Sequence, residues 1–196
     1  MSEEYNRLGV EKYYELHARD YRNVHYLEIV TAVEVLMTVF LDLQPVNQRL
    51  SVLDLACGSG EATLAVQQWH SSASSSQSSS VPASIDVVSA DPFTGPAFTE
   101  RTGKTAESFS FEAVAEGCLA EQQREYDLCI CSFAMHLIRD KSRLWCTLSA
   151  LARSCTFLAI LSPHKKPDVA TTTGWLLEHE SVEARVRVRL FRSMLK

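Results

Sequence analysis

The chain has 196 residues and a formal net charge of -5, with 46% hydrophobic and 22% charged residues. This length suits a single domain with a sizeable core, and these proportions are ordinary for a globular protein. The negative net charge excludes a general attraction to polyanions, so contact with nucleic acid would need a local basic patch. The six cysteines lie mostly in apolar stretches, which fits reduced core residues better than a disulfide framework.

The N-terminal segment, residues 1–48, is predicted to be helical. Residues 3–26 are rich in tyrosine, arginine and histidine, and their apolar positions recur at a helical spacing. A second helix is predicted over residues 27–43, and it ends where Gln44 precedes Pro45 because the residue before a proline avoids helical backbone. The start of the chain lacks signal-peptide features, and its most apolar stretch is shorter than the about 20 residues of a membrane-spanning helix. We therefore expect a cytoplasmic, or else nuclear, protein without a membrane partner.

A strand, a glycine turn and a helix are predicted over residues 51–64. The apolar run that ends at Leu55 suits a buried parallel strand, and Asp54 interrupts it near its end. Gly58 and Gly60 then lack the Cβ that would keep a ligand away from the backbone. A helix can begin directly after them. Together these elements indicate a nucleotide-type site at the carboxyl edge of an open α/β sheet.

The turn favours a cationic ligand over a dinucleotide. A dinucleotide fingerprint needs three glycines and a bare helix N-terminus for the pyrophosphate, whereas this register has Ala56, Gly58 and Glu61. The carboxylate of Glu61 would repel a diphosphate, which argues against a nicotinamide oxidoreductase. Asp54 and Glu61 instead suit a ligand with positive charge and no phosphate, such as S-adenosylmethionine.

At this turn the chain resembles the class I S-adenosylmethionine-dependent methyltransferases. Their first motif is a hydrophobic residue followed by Leu-Asp-Leu, Gly or Ala, Cys, Gly, Ser or Thr, and Gly. Residues 52–60 match this motif, with Ala56 in place of the more usual first glycine. The resemblance implies an α/β fold, a three-layer Rossmann-like sandwich. Its sheet is expected to be seven-stranded and mostly parallel, with a terminal antiparallel strand, and an N-terminal helical cap precedes it.

The same resemblance implies a site for S-adenosyl-L-methionine. The residues expected to bind it at the turn are Asp54, Ala56, Cys57, Gly58 and Gly60. Segments that precede the core in this family often cover the cofactor and the substrate, and packing across the sheet edge is the alternative for the segment here. The polar-tipped cap residues that suit contact with the substrate are Tyr13, Tyr14 and His25.

Two further strands are predicted after the turn. The first covers residues 84–90 and ends at Asp91, which the resemblance assigns to the ribose hydroxyls, with Pro92 beside it. An aspartate that opens a turn is the alternative, and it is compatible with that role. The second covers residues 108–115 and would place Glu112 near the adenine amino group. An isolated surface glutamate is the alternative for Glu112.

A central strand over residues 126–133 resembles the fourth motif of the family, an Asp-led apolar strand followed by Ser and a His-Leu pair. The resemblance places Ser132 and Phe133 beside the cofactor and His136 where the methyl group would be presented. His136 is therefore the first candidate for a catalytic base, with packing of the turn as the alternative. The next strand leaves the sheet at the same edge, which makes His164 the second candidate.

The end of the chain is predicted to form a helix over residues 141–153 and an antiparallel pair of strands over residues 174–180 and 184–192. Arginines alternate with apolar residues along the last strand, so one of its faces is cationic. We expect a solvated outer face there, and contact with a phosphate backbone is the alternative. The arginines of this row are Arg185, Arg187 and Arg189.

Two other patterns carry expectations. The serine-rich residues 71–80 have nothing to bury and are predicted to be a disordered loop. Cys129 and Cys131 share one face of a strand, but no second Cys or His pair stands at zinc spacing. We therefore expect small core side chains there and no bound metal.

The sequence thus predicts one methyltransferase domain, with a cap over residues 1–48 and a cofactor-binding core over residues 49–196. The expected reaction is in-line transfer of a methyl group to an oxygen or nitrogen nucleophile. A small molecule is the favoured acceptor, and RNA or protein is the alternative. A protein of another class, a non-catalytic methyltransferase-like protein that acts in assembly, also fits the pattern.

Overall fold

The computed structural model describes residues 21–46, 48–75 and 81–196. In this part of the chain one sheet has the strand order β2-β1-β3-β4-β6-β5. The strands are β1 (Arg49–Leu55), β2 (Ser84–Ala90), β3 (Tyr126–Ser132), β4 (Cys155–Ser162), β5 (Trp175–Glu183) and β6 (Val186–Ser193). The α-helices are α1 (Tyr26–Leu43), α2 (Glu61–Ser75), α3 (Gly95–Thr102), α4 (Phe111–Glu116), α5 (Cys118–Glu121) and α6 (Lys141–Ser154). Short 3-10 helices cover Met135–Leu137 and Thr171–Thr173.

The pairing of the strands confirms the predicted fold class. Strand β1 runs parallel to β2 and β3, and β3 runs parallel to β4. Strand β6 runs antiparallel to both β4 and β5, so the last strand of the chain reverses direction as expected. The carboxyl ends of β1 to β4 therefore meet at one edge of the sheet, where open α/β sheets bind ligands.

The expectation of seven strands is wrong for the described residues, where the sheet has six. On the side of β2 away from β1, Glu107 forms an isolated parallel bridge to Ala90. The predicted strand over residues 108–115 is instead the helix α4, whose first turn is capped by the Ser110 hydroxyl, an acceptor for Ala113 N at 3.3 Å. Alanine and glutamate favour helix, and the serine cap offers a helix start that a strand would not use.

Helices cover both faces of the sheet, which makes the three layers. One core cluster joins α1 and α2 to the face of β1 that carries Leu50 and Val52. The other joins α4, α5 and α6 to the opposite face, which carries Leu53 and Leu55. Successive residues of a strand point to opposite faces, so β1 is apolar on both sides and lies in the interior.

The prediction of a disordered loop from residue 71 is wrong for its first part. Helix α2 continues through Glu61–Ser75, and the Ser71 hydroxyl donates to the Gln67 carbonyl at 2.9 Å. A serine can bond back to the carbonyl of the preceding turn, so a run of serines does not have to end a helix. Residues 76–80 lie outside the described residues.

The cysteines in the described part of the chain are unpaired, and Cys129 and Cys131 are fully buried in the core. Both belong to the cluster beneath α6, as their shared strand face predicted. Burial raises the pKa of both thiols well above the ordinary value, which keeps them protonated and unreactive. They act as small apolar side chains.

Candidate functional site

The glycine turn between β1 and α2 is built from left-handed backbone. Ala56, Gly58 and Gly60 have φ angles of 59°, 58° and 93°. The turn is tied to its surroundings because Cys57 N donates to the Ala90 carbonyl at 3.1 Å. The usual first glycine of the motif is here Ala56, which accepts a backbone conformation that glycine adopts at lower cost.

The two glycines are required for different close approaches. A Cβ on Gly58 would lie 2.9 Å from Cε1 of Tyr21 and 3.2 Å from Oε2 of Glu61. A Cβ on Gly60 would lie 2.6 Å from Cγ2 of Thr102 and 3.2 Å from the Phe98 ring. The absence of a side chain at Gly58 therefore leaves room for the segment that precedes α1, and its absence at Gly60 leaves room for helix α3.

Asp54, near the end of β1, is buried beneath the turn, and its side chain binds the first turn of helix α2. Its Oδ2 accepts hydrogen bonds from the backbone N and the hydroxyl of Thr63, at 2.9 and 2.6 Å. Its Oδ1 is buried without a protein partner. Burial raises the pKa of Asp54 to about 7, and the hydrogen bonds from Thr63 oppose that rise. The free oxygen is the group through which this carboxyl can respond to a ligand.

Asp91 and Thr94 hold Gly58 by both of its backbone polar groups. Asp91 Oδ2 accepts from Gly58 N at 3.2 Å, and the Thr94 hydroxyl donates to the Gly58 carbonyl at 2.7 Å. Asp91 Oδ1 also accepts from the backbone N of Phe93 and of Thr94. An ionised carboxylate has about four lone-pair sites, so Asp91 can accept one more hydrogen bond without loosening the turn. Pro92, beside it, is exposed.

Glu61 is already engaged within the protein, which the sequence did not indicate. Arg101 on α3 pairs with Glu61 Oε1 at 2.7 Å, and Asn23 N donates to the same oxygen at 3.0 Å. The backbone N of Ser59 donates to Oε2 at 3.1 Å. Glu61 thus joins the turn to α3 and to the cap. Of the two carboxylates that the sequence suggested for a cationic ligand, Asp54 has an oxygen without a protein partner, whereas both oxygens of Glu61 are engaged.

The segment 21–26, which is part of the predicted cap, lies against the turn. Besides the contacts of Tyr21 and Asn23, the Tyr26 ring lies 4.5 Å from the Arg101 guanidinium. His25 stacks on Phe133 with ring centroids 5.2 Å apart. The structure therefore brings His25 to the carboxyl edge of β3. Tyr13 and Tyr14, the other predicted cap residues, lie outside the described residues.

The charge at the turn is predominantly negative. Burial raises the pKa of the Cys57 thiol, and the negative charges of Asp54, Asp91 and Glu61 raise it further. Three carboxyl groups therefore act on one point of the turn, and Arg101 is paired with one of them. This field favours a cationic ligand group and disfavours a phosphate.

The predicted catalytic histidines lie together beside the exit of β3. The rings of His136 and His164 meet edge to face at 4.7 Å. Burial lowers the pKa of His136 to about 4, and proximity to His164 contributes to the same direction. His136 Nδ1 and the Ser132 hydroxyl are buried without partners. Phe133 follows with φ of 57° and donates its backbone N to the Leu161 carbonyl.

Glu112 stands in the first turn of α4 and not on a strand. Its carboxylate pairs with Arg143 of α6 at 2.6 Å, and both side chains are about half exposed, at 48% and 51%. Contact with an adenine amino group stays a prediction for this residue. Its partner Arg143 would have to release it first.

The arginine row is not the solvated cationic face that the alternation predicted. Arg189 is only 5% exposed, and Arg187 pairs with Glu180 across β5 and β6. Arg185 alone of the three is exposed, at the turn between these strands. Arg187 and Arg189 lie on the face of β6 opposite to Val186, Val188 and Leu190, which pack against α1.

Sequence reasoning missed three residues that build the site. Thr63, Thr94 and Arg101 carry the contacts that fix the turn. The threonines follow the motif and Asp91 at the short distances typical of caps and Asx turns, so their positions contained a signal. Arg101 contained none, because its partner is 40 residues away in the sequence.

Two other features are absent from the part of the chain that the structure describes. No helix among them is long and apolar enough to cross a membrane. No group of three or more His, Cys, Asp or Glu side chains in the same residues could hold a metal ion.

The architecture is that of the class I S-adenosylmethionine-dependent methyltransferases. The chain is similar to an rRNA methyltransferase, aviRa, from Streptomyces viridochromogenes, with a TM-score of 0.58, 12% identity and coverage of 84% of this chain and 85% of that one. It is similar to a SAM-dependent methyltransferase from Aquifex aeolicus, with a TM-score of 0.56, 12% identity and coverage of 92% and 98%. Magnesium protoporphyrin IX methyltransferase from Synechocystis, solved with bound SAM, matches with a TM-score of 0.54, 15% identity and coverage of 96% and 93%.

At the level of sequence, the chain belongs to the same family as a Schizosaccharomyces pombe protein, Uncharacterized protein C17A5.05c. The two are 32% identical over an alignment 219 positions long, which covers 94% of this chain and 89% of the Schizosaccharomyces pombe protein. No protein-family model matches the chain.

Proposed function

We propose that this protein is a methyltransferase that uses S-adenosyl-L-methionine and transfers the methyl group to an oxygen or nitrogen atom of a small molecule. The observation that carries this proposal is the negative glycine turn, in which Asp91 and Thr94 hold Gly58 at the carboxyl edge of β1 and β2. The solved structures of the same fold support it, because one of them contains bound SAM and another contains S-adenosyl-l-homocysteine.

The residues at the turn fit this cofactor. The buried Asp54 Oδ1 lacks a partner, and the surrounding carboxylates favour the cofactor's sulfonium and ammonium groups. Asp91 retains one lone pair for a ribose hydroxyl. The residues proposed to hold the cofactor are Asp54, Ala56, Cys57, Gly58, Gly60, Asp91, Pro92, Glu112, Ser132 and Phe133.

The bound cofactor would supply an already activated methyl group, so the protein has to position the acceptor and exclude water. Holding two reactants in the right geometry contributes about 7–11 kcal/mol in favourable cases. The cap segment 21–26 and Phe133 close one side of the site through the stacked His25 ring. In this proposal the backbone of Gly58 orients the cofactor, and the cap limits access of water.

His136 is proposed to position the acceptor rather than to act as a strong base. With a pKa of about 4 the imidazole is neutral at neutral pH and can accept a hydrogen bond through a free nitrogen. A base with so low a pKa removes protons from an alcohol poorly. The His164 ring packs edge to face with the His136 ring. In this proposal His164 is a second imidazole that can contact the acceptor. A neutral amine nitrogen needs no base before it attacks, because its lone pair is available and it can release its proton to solvent after the transfer.

The arrangement of the arginine row favours a small acceptor over RNA. An RNA contact needs exposed cations that can reach several phosphates. Of the row, Arg187 is paired with Glu180 and Arg189 is buried, so neither is free on the surface. The negative turn adds repulsion toward a phosphate backbone.

Calorimetric titration with S-adenosylmethionine, S-adenosylhomocysteine and NAD tests the proposal. We expect micromolar binding of the first two and no binding of NAD, because the turn repels a pyrophosphate. An Asp91→Ala variant should weaken binding, whereas Asp86→Ala should not, since Asp86 is on the same strand but pairs with Arg49 in solvent. Absence of binding by either adenosyl compound would overturn the proposal and favour a non-catalytic role with a protein partner.

A further inference from the structure

Arg189 on β6 has one half of its guanidinium engaged and the other half free. Nη1 donates to the Pro167 carbonyl at 2.8 Å. Nε and Nη2 are buried without partners in the protein, although the residue is only 5% exposed. Nε and Nη2 are the two donors on one side of the guanidinium, and such a side binds a carboxylate or phosphate through two parallel hydrogen bonds. The free side of the guanidinium, here called the fork, can therefore donate two hydrogen bonds to one anion.

The neighbouring charges do not neutralise this guanidinium. The Glu180 carboxylate pairs with Arg187 and lies 3.9 Å from Lys165 Nζ, so it is shared between two other cations. Asp168 is the other carboxylate that acts on Arg189. Desolvation lowers the pKa of Arg189, whereas Glu180 and Asp168 act in the opposite direction. A buried cation with unsatisfied donors is costly, and binding of an anion removes that cost.

The fork lies at the same sheet edge as the histidine pair. In the register of β4 and β6, Arg189 is opposite Ile160 and Arg187 is opposite Ser162. Ser162 begins the segment that carries His164, and its hydroxyl donates to the His164 carbonyl at 2.5 Å. Strand β6 is two strands from β3, a separation of about 10 Å at the usual spacing. A separation of this size between the two strands is within the length of a small-molecule acceptor.

We propose that Arg189 binds a carboxylate or phosphate group of a small-molecule methyl acceptor whose reacting atom lies near His136. This inference rests on the proposed methyltransferase function and names the chemical class of its acceptor. Arg189 is buried and bonds to the Pro167 carbonyl, so an extended phosphate backbone could not reach its free side without moving the segment that contains Pro167. Binding of RNA at Arg189 would contradict the proposal.

The anion site can be tested directly on the wild-type protein by NMR. The Nε–H signal of Arg189 is followed while inorganic phosphate, acetate or a short oligouridylate is added at constant ionic strength. We expect saturable chemical-shift changes with phosphate or acetate. The anion that saturates the change at the lower concentration shows which chemical group Arg189 prefers. No saturable shift with either anion, or saturation by oligouridylate at a lower concentration than by phosphate, would overturn the proposal.

Matched variants give the second measurement. Arg189→Gln should weaken the preferred anion at least tenfold, whereas Arg185→Gln removes the same charge from the exposed end of the row and should change binding less than twofold. Equal effects of the two variants would show a general charge effect and contradict a fork at Arg189. If Arg189→Gln does not fold, the wild-type signal still decides the question.

The link to the acceptor needs a transfer assay. A metabolite pool is divided by anion exchange and incubated with the protein and labelled S-adenosylmethionine. We expect labelled product from the retained, anionic fraction, and loss of that product with Arg189→Gln at unchanged S-adenosylhomocysteine affinity. Product from the unretained fraction alone would overturn the inference while leaving the methyltransferase function intact. Failure of the function itself would appear separately, as absent binding of S-adenosylhomocysteine.

Discussion

Asp91 Oδ2 lies 3.2 Å from Gly58 N, so the carboxylate at the end of β2 holds the glycine turn that follows β1. One residue thereby has two tasks, because the group proposed to bind ribose also shapes the backbone on which the ribose would lie. A substitution there should change stability and ligand affinity together, which distinguishes it from a residue that contacts only the ligand.

Replacing Asp91 by alanine removes an acceptor from three backbone N–H groups. We expect a loss of about 1–3 kcal/mol in the free energy of unfolding. The affinity for S-adenosylhomocysteine should fall at least tenfold, because the carboxylate proposed to accept a hydrogen bond from a ribose hydroxyl is lost. Urea unfolding and calorimetry measure the two effects. Asp86→Ala is the control and should cost less than about 1 kcal/mol, since exposed pairs contribute little. Wild-type affinity of Asp91→Ala would remove Asp91 from the site.

A methyl group on Gly58 should disturb the turn, whereas one on Gly95 should not. Gly58→Ala places a Cβ 2.9 Å from Tyr21 at a φ of 58°. We expect destabilisation of about 1–3 kcal/mol and weaker ligand binding, because the cap has to move. Gly95 begins α3 with nothing within 4 Å of its Cβ, so Gly95→Ala should stabilise by about 0.4–1 kcal/mol. Thermal unfolding distinguishes the two variants. Equal melting temperatures would contradict the close contact of Gly58 with Tyr21.

Removing Arg101 should expose the cost of burying Glu61. Glu61 is 4% exposed and Arg101 is its ion-pair partner, so Arg101→Gln leaves a carboxylate buried without its cation. We expect a loss of about 1–3 kcal/mol in the free energy of unfolding. Arg22→Gln breaks the exposed pair with Glu100 and should cost less than about 1 kcal/mol. The two variants are compared by urea unfolding, and a similar cost for both would show that the Glu61 pair contributes little.

The free energy of unfolding should depend on pH through two groups, Asp54 and His136, whose effects have opposite signs. The pKa of Asp54 is raised from 3.8 to about 7, so its contribution to stability is present at low pH and is lost as pH rises through 7. The pKa of His136 is lowered from 6.5 to about 4, so its contribution is present above 6.5 and is lost as pH falls toward 4. Between about pH 4 and 6.5 the two slopes oppose and largely cancel.

The variant His136→Asn removes one of the two slopes. Its stability should then fall as pH rises from about 4.5 to 6.5, by up to about 1.4 kcal/mol per pH unit, the limit for one proton. Partial solvent screening of His136 makes the measured difference smaller. Urea unfolding at several pH values compares the variant with the wild type. Parallel profiles of the two proteins would contradict the lowered pKa of His136.

The sequence was sufficient for the fold class and for the turn. The apolar run of β1, the glycines after it and Asp91 after β2 all express local requirements, because a buried strand and a left-handed turn restrict their own residues. The same local rules failed over residues 108–115, where apolar spacing fitted both strand and helix. There the Ser110 cap and the residues of α4 favoured a helix. In place of the expected additional strand beside β2, the structure has an isolated bridge between Ala90 and Glu107.

Tertiary structure alone decided which charged groups are free. Glu61 and Arg101 are 40 residues apart, and their pairing depends on how α3 packs against Gly60. The alternation of arginines along β6 predicted one cationic face, but Arg189 is buried and bonds to the carbonyl of Pro167, which is 22 residues away in the chain. Local sequence determines backbone conformation at short range. Burial and charge pairing are determined by residues that are distant in the chain, and only the packed structure brings those together.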